Sequence, residues 1–223
     1  TRVSSSAASD VYKRQDSPYP LAGHGSESKI IFKGEDILQK SKSQMRKLRG
    51  KKISMVFQEP MTSLNPFLKC GEQIEESIFF SSEILDKKNK VIELLEEVEF
   101  EDPQKIFNSY PHQISGGQRQ RVMIAMAIAN EPDLLIADEP TTALDVSTQQ
   151  SLLVLLRKIQ KKMGMSIIFI SHDLNIVRKI SDRVLVMQKG EIKEENSMNE
   201  IFQNPKDPYL SLIHISEPTR RLV

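Results

Sequence analysis

The sequence predicts an α/β fold in which a parallel core sheet is flanked by helices. From Asp133 onward, strand patterns alternate with helix patterns along the chain. The first two of these strands, Asp133–Asp138 and Ser166–Ser171, are nearly continuous apolar runs. Such strands are typically buried on both faces, as in a parallel sheet covered by helices. A helix-rich stretch before them, about residues 67–130, predicts an inserted helical subdomain, and the range of about 131–209 then forms the rest of the core.

Hydrophobic spacing, together with proline and glycine positions, predicts the remaining elements. Pro103 and Pro111 predict a short connection, and Lys189–Gly190 predicts a turn between two strands. The other predicted strands are Lys29–Lys33, Lys52–Phe57, Arg183–Gln188 and Glu191–Glu194, and the predicted helices are Ser43–Arg49, Gly71–Phe80, Lys87–Val98, Ser115–Asn130, Asp145–Lys162 and Leu174–Ile180.

Composition excludes several classes of protein. With 31 basic and 30 acidic residues, the chain has no general attraction for nucleic acid or for an anionic membrane surface, so no nucleic-acid partner is predicted. The longest apolar runs are strand-sized, far short of the roughly 20 residues that a membrane-spanning helix needs. Cys70 is the only cysteine, which excludes an internal disulfide and a cysteine-based metal site and fits a reducing compartment.

The two ends of the chain resemble translated sequencing adapters. Asp10–Gln15 (DVYKRQ) and Leu210–Ile215 (LSLIHI) can be back-translated into DNA segments that are perfect reverse complements of each other. Unrelated protein segments would almost never allow this. Residues 1–15 and 210–223 are therefore predicted to be non-native and are left out of the fold argument. The range 16–209 is predicted to be natural sequence, truncated at both ends.

Two acidic residues close an apolar strand in the segment Leu134–Pro140, LLIADEP. Ligands of open α/β sheets bind at the carboxyl ends of the strands, which is where Asp138 and Glu139 are expected. One carboxylate there could hold Mg²⁺, and the other could deprotonate a water molecule. Taken alone, the segment could equally be an acidic strand end on the surface.

A glycine pair opens the helix that follows Ile114. Ser115 and Gln118 have the spacing of a capping box, with Gly116 and Gly117 in the first helical turn. Each glycine costs about 1 kcal/mol of helix stability relative to alanine, but it leaves bare N–H groups at a positive helix end, where phosphate can bind. In isolation the same pattern could be a simple loop-to-helix transition.

Two further polar residues follow strands: Gln58 after KISMVF and His172 after SIIFIS. Either residue, taken alone, would usually have only a structural role. Their order along the chain, with SGGQ, the Asp-Glu strand end and TALD (Thr142–Asp145) between them, resembles the ATP-binding-cassette (ABC) ATPases across the whole natural segment. The resemblance implies a P-loop NTPase-like ABC nucleotide-binding domain. Ile114 stands where leucine is more usual in the family signature, a harmless change for an apolar anchor.

The resemblance also implies roles for these residues and the cofactors ATP and Mg²⁺. In ABC ATPases two domains face each other head to tail, with each ATP between the Walker loops of one domain and the SGGQ turn of the other. The implied catalytic residues are Glu139 as general base, His172 at the γ-phosphate and Gln58 as sensor of Mg²⁺ and water. The implied nucleotide-binding residues are Ser115, Gly116, Gly117, Gln118, Asp138 and Asp145, and the implied metal-binding residues are Asp138 and Gln58.

One element of the family pattern does not occur in the sequence, the phosphate-binding loop G-x-x-x-x-G-K-[ST]. The only Gly-Lys pair, Gly50–Lys51, is followed by Lys52, and Met45 stands where the first glycine should be. In the family this loop comes just before a stretch like Pro20–Lys33, where the adapter-like sequence lies. The expectation is that the chain lacks the Walker A part of the domain and is inactive alone, whereas the full-length protein is an ATPase.

The segment Glu59–Pro66 (EPMTSLNP) resembles the ATPase subunits of oligopeptide, dipeptide and nickel importers, and Asn204–Tyr209 (NPKDPY) resembles their D-type member. The resemblance implies a second ABC ATPase subunit in a heterodimer and two membrane permeases contacted through the segment after Gln58. It also implies an extracytoplasmic substrate-binding protein as an indirect partner, and a peripheral location at the cytoplasmic face of the cell membrane.

Two alternatives stay open. A soluble ABC ATPase of DNA repair or translation would normally show a long coiled-coil insertion, zinc-binding cysteines or a basic linker, and the single cysteine and balanced charge speak against it. A non-catalytic cassette that serves only as a dimer scaffold would have lost catalytic residues, whereas Glu139 and His172 are both present.

Overall fold

The fold is described from a computed structural model, for residues 29–57, 63–78, 86–142, 144–208 and 210. The chain forms two compact units, one of residues 40–172 and the other of the described residues on either side of that range. The strands are β1 (Ile31–Phe32), β2 (Glu35–Asp36), β3 (Ile53–Val56), β4 (Leu134–Asp138), β5 (Ser166–Ile170), β6 (Arg183–Gln188) and β7 (Glu191–Ser197). The α-helices are α1 (Lys42–Leu48), α2 (Cys70–Ser77), α3 (Lys87–Glu97), α4 (Pro103–Asn108), α5 (Gly116–Ile128), α6 (Val146–Met163), α7 (Leu174–Ile180) and α8 (Met198–Gln203).

The predicted parallel sheet is confirmed in the unit of residues 40–172. Its strand order is β3-β4-β5, and both pairings are parallel. Ile53 pairs with Leu134, and at the other end Asp138 pairs with Ile170. The central strand β4 is buried along its first four residues, which explains its continuous apolar run. The carboxyl ends of β4 and β5 are therefore level with each other.

Helices α2–α5 lie between β3 and β4 in the sequence, and the division into a helical subdomain and a core stays a prediction. Helix α6 then buries one face, with Leu152, Leu155, Leu156 and Ile159 almost completely inaccessible to solvent. Their spacing of three and four residues places them on a single stripe of the helix. Burying each such side chain contributes about 1.5–3 kcal/mol. Gly164, at φ 64°, ends this helix in the left-handed conformation that glycine adopts without strain.

The other unit contains two antiparallel hairpins, β1–β2 and β6–β7. Each has a Lys-Gly pair at its turn, and in the second hairpin Lys189 and Gly190 have φ angles of 52° and 82°. Positive φ at both central residues is the mark of a type I′ turn, which matches the twist of the strands, so the predicted turn is confirmed. Val177, Val184, Ile201 and Leu210 form the core of this unit.

The short connection predicted at Pro103 and Pro111 contains a helix that was not predicted, because Pro103 begins helix α4. The Asp102 side chain accepts a hydrogen bond from the backbone N–H of Lys105 at 2.9 Å, and proline occupies the first helical turn. Proline is favourable there because its missing N–H has no partner within the helix anyway. Helix α8 was not predicted either; the Ser197 side chain caps it by accepting from the N–H of Glu200 at 3.3 Å.

The predicted adapter segments lie outside the described residues except for Leu210, which is fully buried. Within the described ranges, every helix is too short or too polar to cross a membrane.

Candidate functional site at the carboxyl ends of β4 and β5

Glu139 and His172 meet at the edge of the sheet where β4 and β5 end. Glu139 directly follows β4, and its backbone N–H donates to the carbonyl oxygen of Ile170, the last residue of β5, at 3.0 Å. His172 lies two residues beyond Ile170. Its Nδ1 atom is 3.0 Å from Oε1 of Glu139. The side chain of Glu139 is 21% exposed, whereas that of His172 is 76% exposed. The carboxylate is therefore largely buried, and the imidazole lies on the surface.

The backbone at Glu139 has an unusual conformation, with φ at 45°. This is the left-handed region, which costs a residue other than glycine about 1–2 kcal/mol. Thr142 helps to fix the side chain, because its hydroxyl donates to Oε2 of Glu139 at 2.9 Å. Both carboxylate oxygens of Glu139 therefore have defined neighbours, and the carboxylate is oriented toward the sheet edge.

Asp138 is the last residue of β4 and is half-buried. Its carboxylate is the type of ligand that Mg²⁺ prefers. No group of three or more His, Cys, Asp or Glu side chains suited to a metal ion occurs in the described part of the chain. Magnesium in nucleotide-hydrolysing sites is usually held by one or two carboxylates together with waters and substrate phosphates. Asp138 therefore fits a Mg²⁺ ion that arrives with a nucleotide.

Ser115 begins helix α5 with the predicted capping box. Its hydroxyl accepts from the N–H of Gln118 at 3.2 Å, and its own N–H donates to Oε1 of Gln118 at 2.9 Å. Gly116 and Gly117 form the first helical turn between them. The turn therefore presents backbone N–H groups at the positive end of a 13-residue helix.

Asp145 caps helix α6. Its Oδ1 atom accepts from the Ser147 hydroxyl at 2.6 Å and from the Thr148 N–H at 3.0 Å, and Oδ2 accepts from the Thr148 hydroxyl at 2.6 Å. The hydroxyl of Ser147, and next that of Thr148, hold the pKa of Asp145 well below its usual range. Asp145 is therefore a charged helix cap whose orientation is set by three donors.

Gln58 lies outside the described residues, and the loop that follows it is described from Ser63 onward. This loop is held by Gln73, which is only 4% exposed. The Oε1 atom of Gln73 accepts from the N–H of Asn65 at 2.8 Å, and its Nε2 atom donates to the carbonyl oxygens of Asn65 and Leu68, each at 3.0 Å. On the loop so fixed, Phe67 is 86% exposed.

Gly50–Lys51, the only Gly-Lys pair, lies in the turn between α1 and β3. The N–H of Gly50 donates to the carbonyl oxygen of Ile53 at 2.8 Å. A phosphate-binding loop would follow the carboxyl end of a strand and open a helix, whereas this turn precedes a strand.

Sequence reasoning missed two residues at the site, Thr142 and Thr148. Thr142 orients Glu139, and Thr148 binds the carboxylate of Asp145. The spacing of Asp145 and Thr148 is that of an N-cap and its third helical residue, so this pair could have been found. Thr142 begins the segment TALD, but its place there does not show that its hydroxyl binds the carboxylate of Glu139.

The protein-family model described as "ABC transporter" matches residues 20–142, more than half of the chain. The oligopeptide transport ATP-binding protein OppD of Bacillus subtilis (strain 168) is 49% identical over 199 residues, which are 88% of this chain and 56% of that protein. The dipeptide transport ATP-binding protein DppD of the same organism is 44% identical over 192 residues, covering 85% of this chain and 57% of that protein. The chain thus spans little more than half the length of these two relatives.

Two solved structures share the fold. A dimeric, post-hydrolysis form of the ATP-binding cassette MJ0796, bound to ADP and Pi, has a TM-score of 0.66 and 31% sequence identity, covering 78% of this chain and 74% of that one. The cbiO1 protein of Clostridium perfringens, part of the ABC transporter complex cbiONQ, has a TM-score of 0.71 and 27% identity, covering 86% and 74%.

Proposed function

Since the chain belongs to the ABC transporter family, we propose that it is a segment of an ATP-hydrolysing subunit that energises the import of peptides. The observation that carries the proposal is the 3.0 Å contact between Oε1 of Glu139 and Nδ1 of His172 at the ends of two parallel strands. The transported class is inferred from the relatives OppD and DppD, which are named for oligopeptide and dipeptide transport.

In this proposal Glu139 accepts a proton from the water that attacks the γ-phosphate of ATP. General-base catalysis of this kind typically contributes about 10²–10⁴-fold. His172 contacts the γ-phosphate, and Thr142 keeps the carboxylate of Glu139 in position. Asp138 and Gln58 would hold Mg²⁺, and the ion would supply positive charge next to the phosphates of the nucleotide.

A second ABC ATPase domain, in a heterodimer, completes the site. Ser115, Gly117 and Gln118 act on the partner's nucleotide, because a positive helix end is useful only where an anion is brought to it. The dimeric structure of MJ0796 with ADP and Pi supports this arrangement.

The general-base role is tested with Glu139→Gln in the complete natural protein. The change keeps the size of the side chain and removes its basicity. ATP turnover should fall by about 10²–10⁴-fold with little change in nucleotide affinity. If hydrolysis stays intact, Glu139 is not the general base.

The chain of 223 residues is proposed to bind ATP weakly or not at all by itself. The support is the absence of a G-x-x-x-x-G-K-[ST] motif from its sequence and the position of Gly50–Lys51 before a strand. Calorimetric titration of the chain with ATP and Mg²⁺ tests this. Micromolar affinity together with turnover would contradict it.

Contact with two membrane permeases is proposed for the segment that follows Gln58, on the cytoplasmic face of the membrane, with an extracytoplasmic binding protein as an indirect partner. The support is the Phe67 ring, which is 86% exposed on a loop that the buried Gln73 fixes. A large apolar side chain held in this way is a typical interface anchor.

Phe67→Ser should abolish co-purification of the complete protein with permeases encoded beside its gene. Val154→Ser is the matched control, because Val154 is also apolar and 68% exposed but lies on α6. If both variants and the unchanged protein co-purify equally with the permeases, Phe67 is not part of the interface.

A further inference from the structure

Gly117 has almost no room for a side chain, and the atom that fills the space belongs to Thr148. A Cβ atom built on Gly117 would lie 2.6 Å from the Cγ2 methyl of Thr148. Non-bonded carbon atoms are normally about 3.5–4.0 Å apart, so a side chain at residue 117 would have to displace the Thr148 methyl or its own backbone. The neighbouring Gly116 is different, because its Cβ would meet only Leu144 Cδ2, at 3.9 Å.

The methyl of Thr148 is held in this position by the other branch of its side chain. The Thr148 hydroxyl donates to Oδ2 of Asp145 at 2.6 Å, and the backbone N–H of Thr148 donates to Oδ1 at 3.0 Å. A β-branched side chain has few rotamers in a helix, and a fixed hydroxyl therefore fixes the methyl. Asp145 therefore fixes Thr148 by hydrogen bonds, and Thr148 in turn packs against Gly117 in the first turn of α5.

We propose that Thr148 is a positioning residue that locks the SGGQ turn onto Asp145, and that its methyl group leaves no room for a side chain at position 117. This proposal rests on the proposed ATPase function, since it assigns the SGGQ turn a defined place in the reaction. It separates the two glycines of the turn: Gly117 is required for packing within this chain, and Gly116 is not.

Moving one methyl group from Thr148 to residue 117 tests the proposal. Gly117→Ala adds a methyl where the Thr148 methyl lies, whereas Thr148→Ser removes that methyl and keeps the hydroxyl that binds Asp145. In the double variant the new Cβ would lie 3.9 Å from both Cβ and Oγ of residue 148, an ordinary contact distance. The exchange conserves volume, and such exchanges are the best tolerated in packed regions.

The first measurement is the thermal unfolding of the chain itself. Gly117→Ala alone should lower the Tm by about 3–9 °C, and adding Thr148→Ser should restore it to within about 2 °C of the Thr148→Ser variant. The matched control Gly116→Ala should not lower the Tm, and Thr148→Ser should not change its effect. The proposed contact between residue 117 and Thr148 is wrong if Gly116→Ala lowers the Tm as much as Gly117→Ala does. It is also wrong if Thr148→Ser does not restore the Tm of Gly117→Ala.

The second measurement is kcat/KM for ATP in the complete natural protein, which a purely structural role would not move once stability is restored. Gly117→Ala should lower it about 100-fold, the usual effect of an ångström-scale misplacement, and the double variant should recover to within about tenfold of Thr148→Ser. If the double variant regains its Tm but not its turnover, the loss of activity in Gly117→Ala does not come from the contact with Thr148, and the positioning role of Thr148 is wrong. If the unchanged protein hydrolyses no ATP, the proposed function and the catalytic part of this proposal are both wrong. The Tm measurements would still show whether residue 117 packs against the methyl of Thr148.

Discussion

Replacing Glu139 should reverse the usual stability order of alanine and glycine. Both Glu139→Ala and Glu139→Gly lose the contacts of the carboxylate with Thr142 and His172, so those contacts cancel in the comparison. What remains is the backbone conformation at residue 139, where φ is 45°. Alanine is strained at this φ angle and glycine is not.

The size of the difference follows from two opposing terms. A left-handed residue other than glycine costs about 1–2 kcal/mol in the folded state. Glycine loses more conformational entropy on folding, which costs about 0.5–1 kcal/mol relative to alanine. The glycine variant should therefore be the more stable by about 0.5–1 kcal/mol. With a urea m-value of about 2 kcal/mol/M, the midpoint of unfolding should differ by about 0.25–0.5 M.

Urea unfolding of the chain measures this difference without any nucleotide. Glu93, an exposed residue within helix α3, provides the matched control, because there alanine should be more stable than glycine by about 1 kcal/mol. The reasoning is refuted if Glu139→Ala unfolds at the same urea concentration as Glu139→Gly or at a higher one, which is the order expected at residue 93. That result would mean that Glu139 does not occupy the left-handed region in solution.

Three further predictions concern single residues. Burial raises the pKa of the Cys70 thiol to about 11, so thiol reagents at pH 8 should label the unfolded chain but not the native one. A Cβ on Gly71 would overlap the ring of Phe107, so Gly71→Ala should destabilise the chain by about 1–3 kcal/mol in urea unfolding. The pKa of Asp145 is lowered by folding, so its stabilising effect is complete above the usual value near 3.8 and is lost as the pH falls below it. Asp145→Asn should therefore flatten the decline of the urea midpoint between pH 5 and pH 2.

The sheet could be predicted because its strands carry the signal within themselves. The apolar run of β4 predicts its burial correctly, and the acids that end β4 mark the edge where ligands bind. The expected burial of β5 is wrong within the described residues, because β5 is the last strand in the order β3-β4-β5 and its residues are exposed or half-buried. Helix α4 is hidden in the sequence because Pro103 and Pro111 lie close together, a pattern typical of a connection between elements. The residue before Pro103, Asp102, is a favourable N-cap, and proline in the first turn then favours the helix.

The contacts within the candidate site could be predicted only in part. The capping box of Ser115 and Gln118 is local, and its spacing predicts it directly. The approach of His172 to Glu139 depends on the pairing of β4 with β5, so the sequence gives only the strand ends on which they lie. The contact of Thr148 with Gly117 depends on how α5 packs beside α6, which no local pattern encodes.

Local preference is violated at Glu139 and at the glycine pair, to which the proposed function gives chemical roles. Glu139 adopts a backbone conformation suited to glycine, and Gly116 and Gly117 begin a helix at a cost that alanine would avoid. Such conflicts persist where surrounding contacts over-determine the conformation. At Glu139 those contacts are the N–H bond to Ile170 and the Thr142 hydroxyl, and at Gly117 the contact is the methyl of Thr148. Hence the residues that explain the unusual conformations are neighbours to which the sequence assigns no role, namely Thr142 and Thr148, and substituting them separates a role in chemistry from a role in packing.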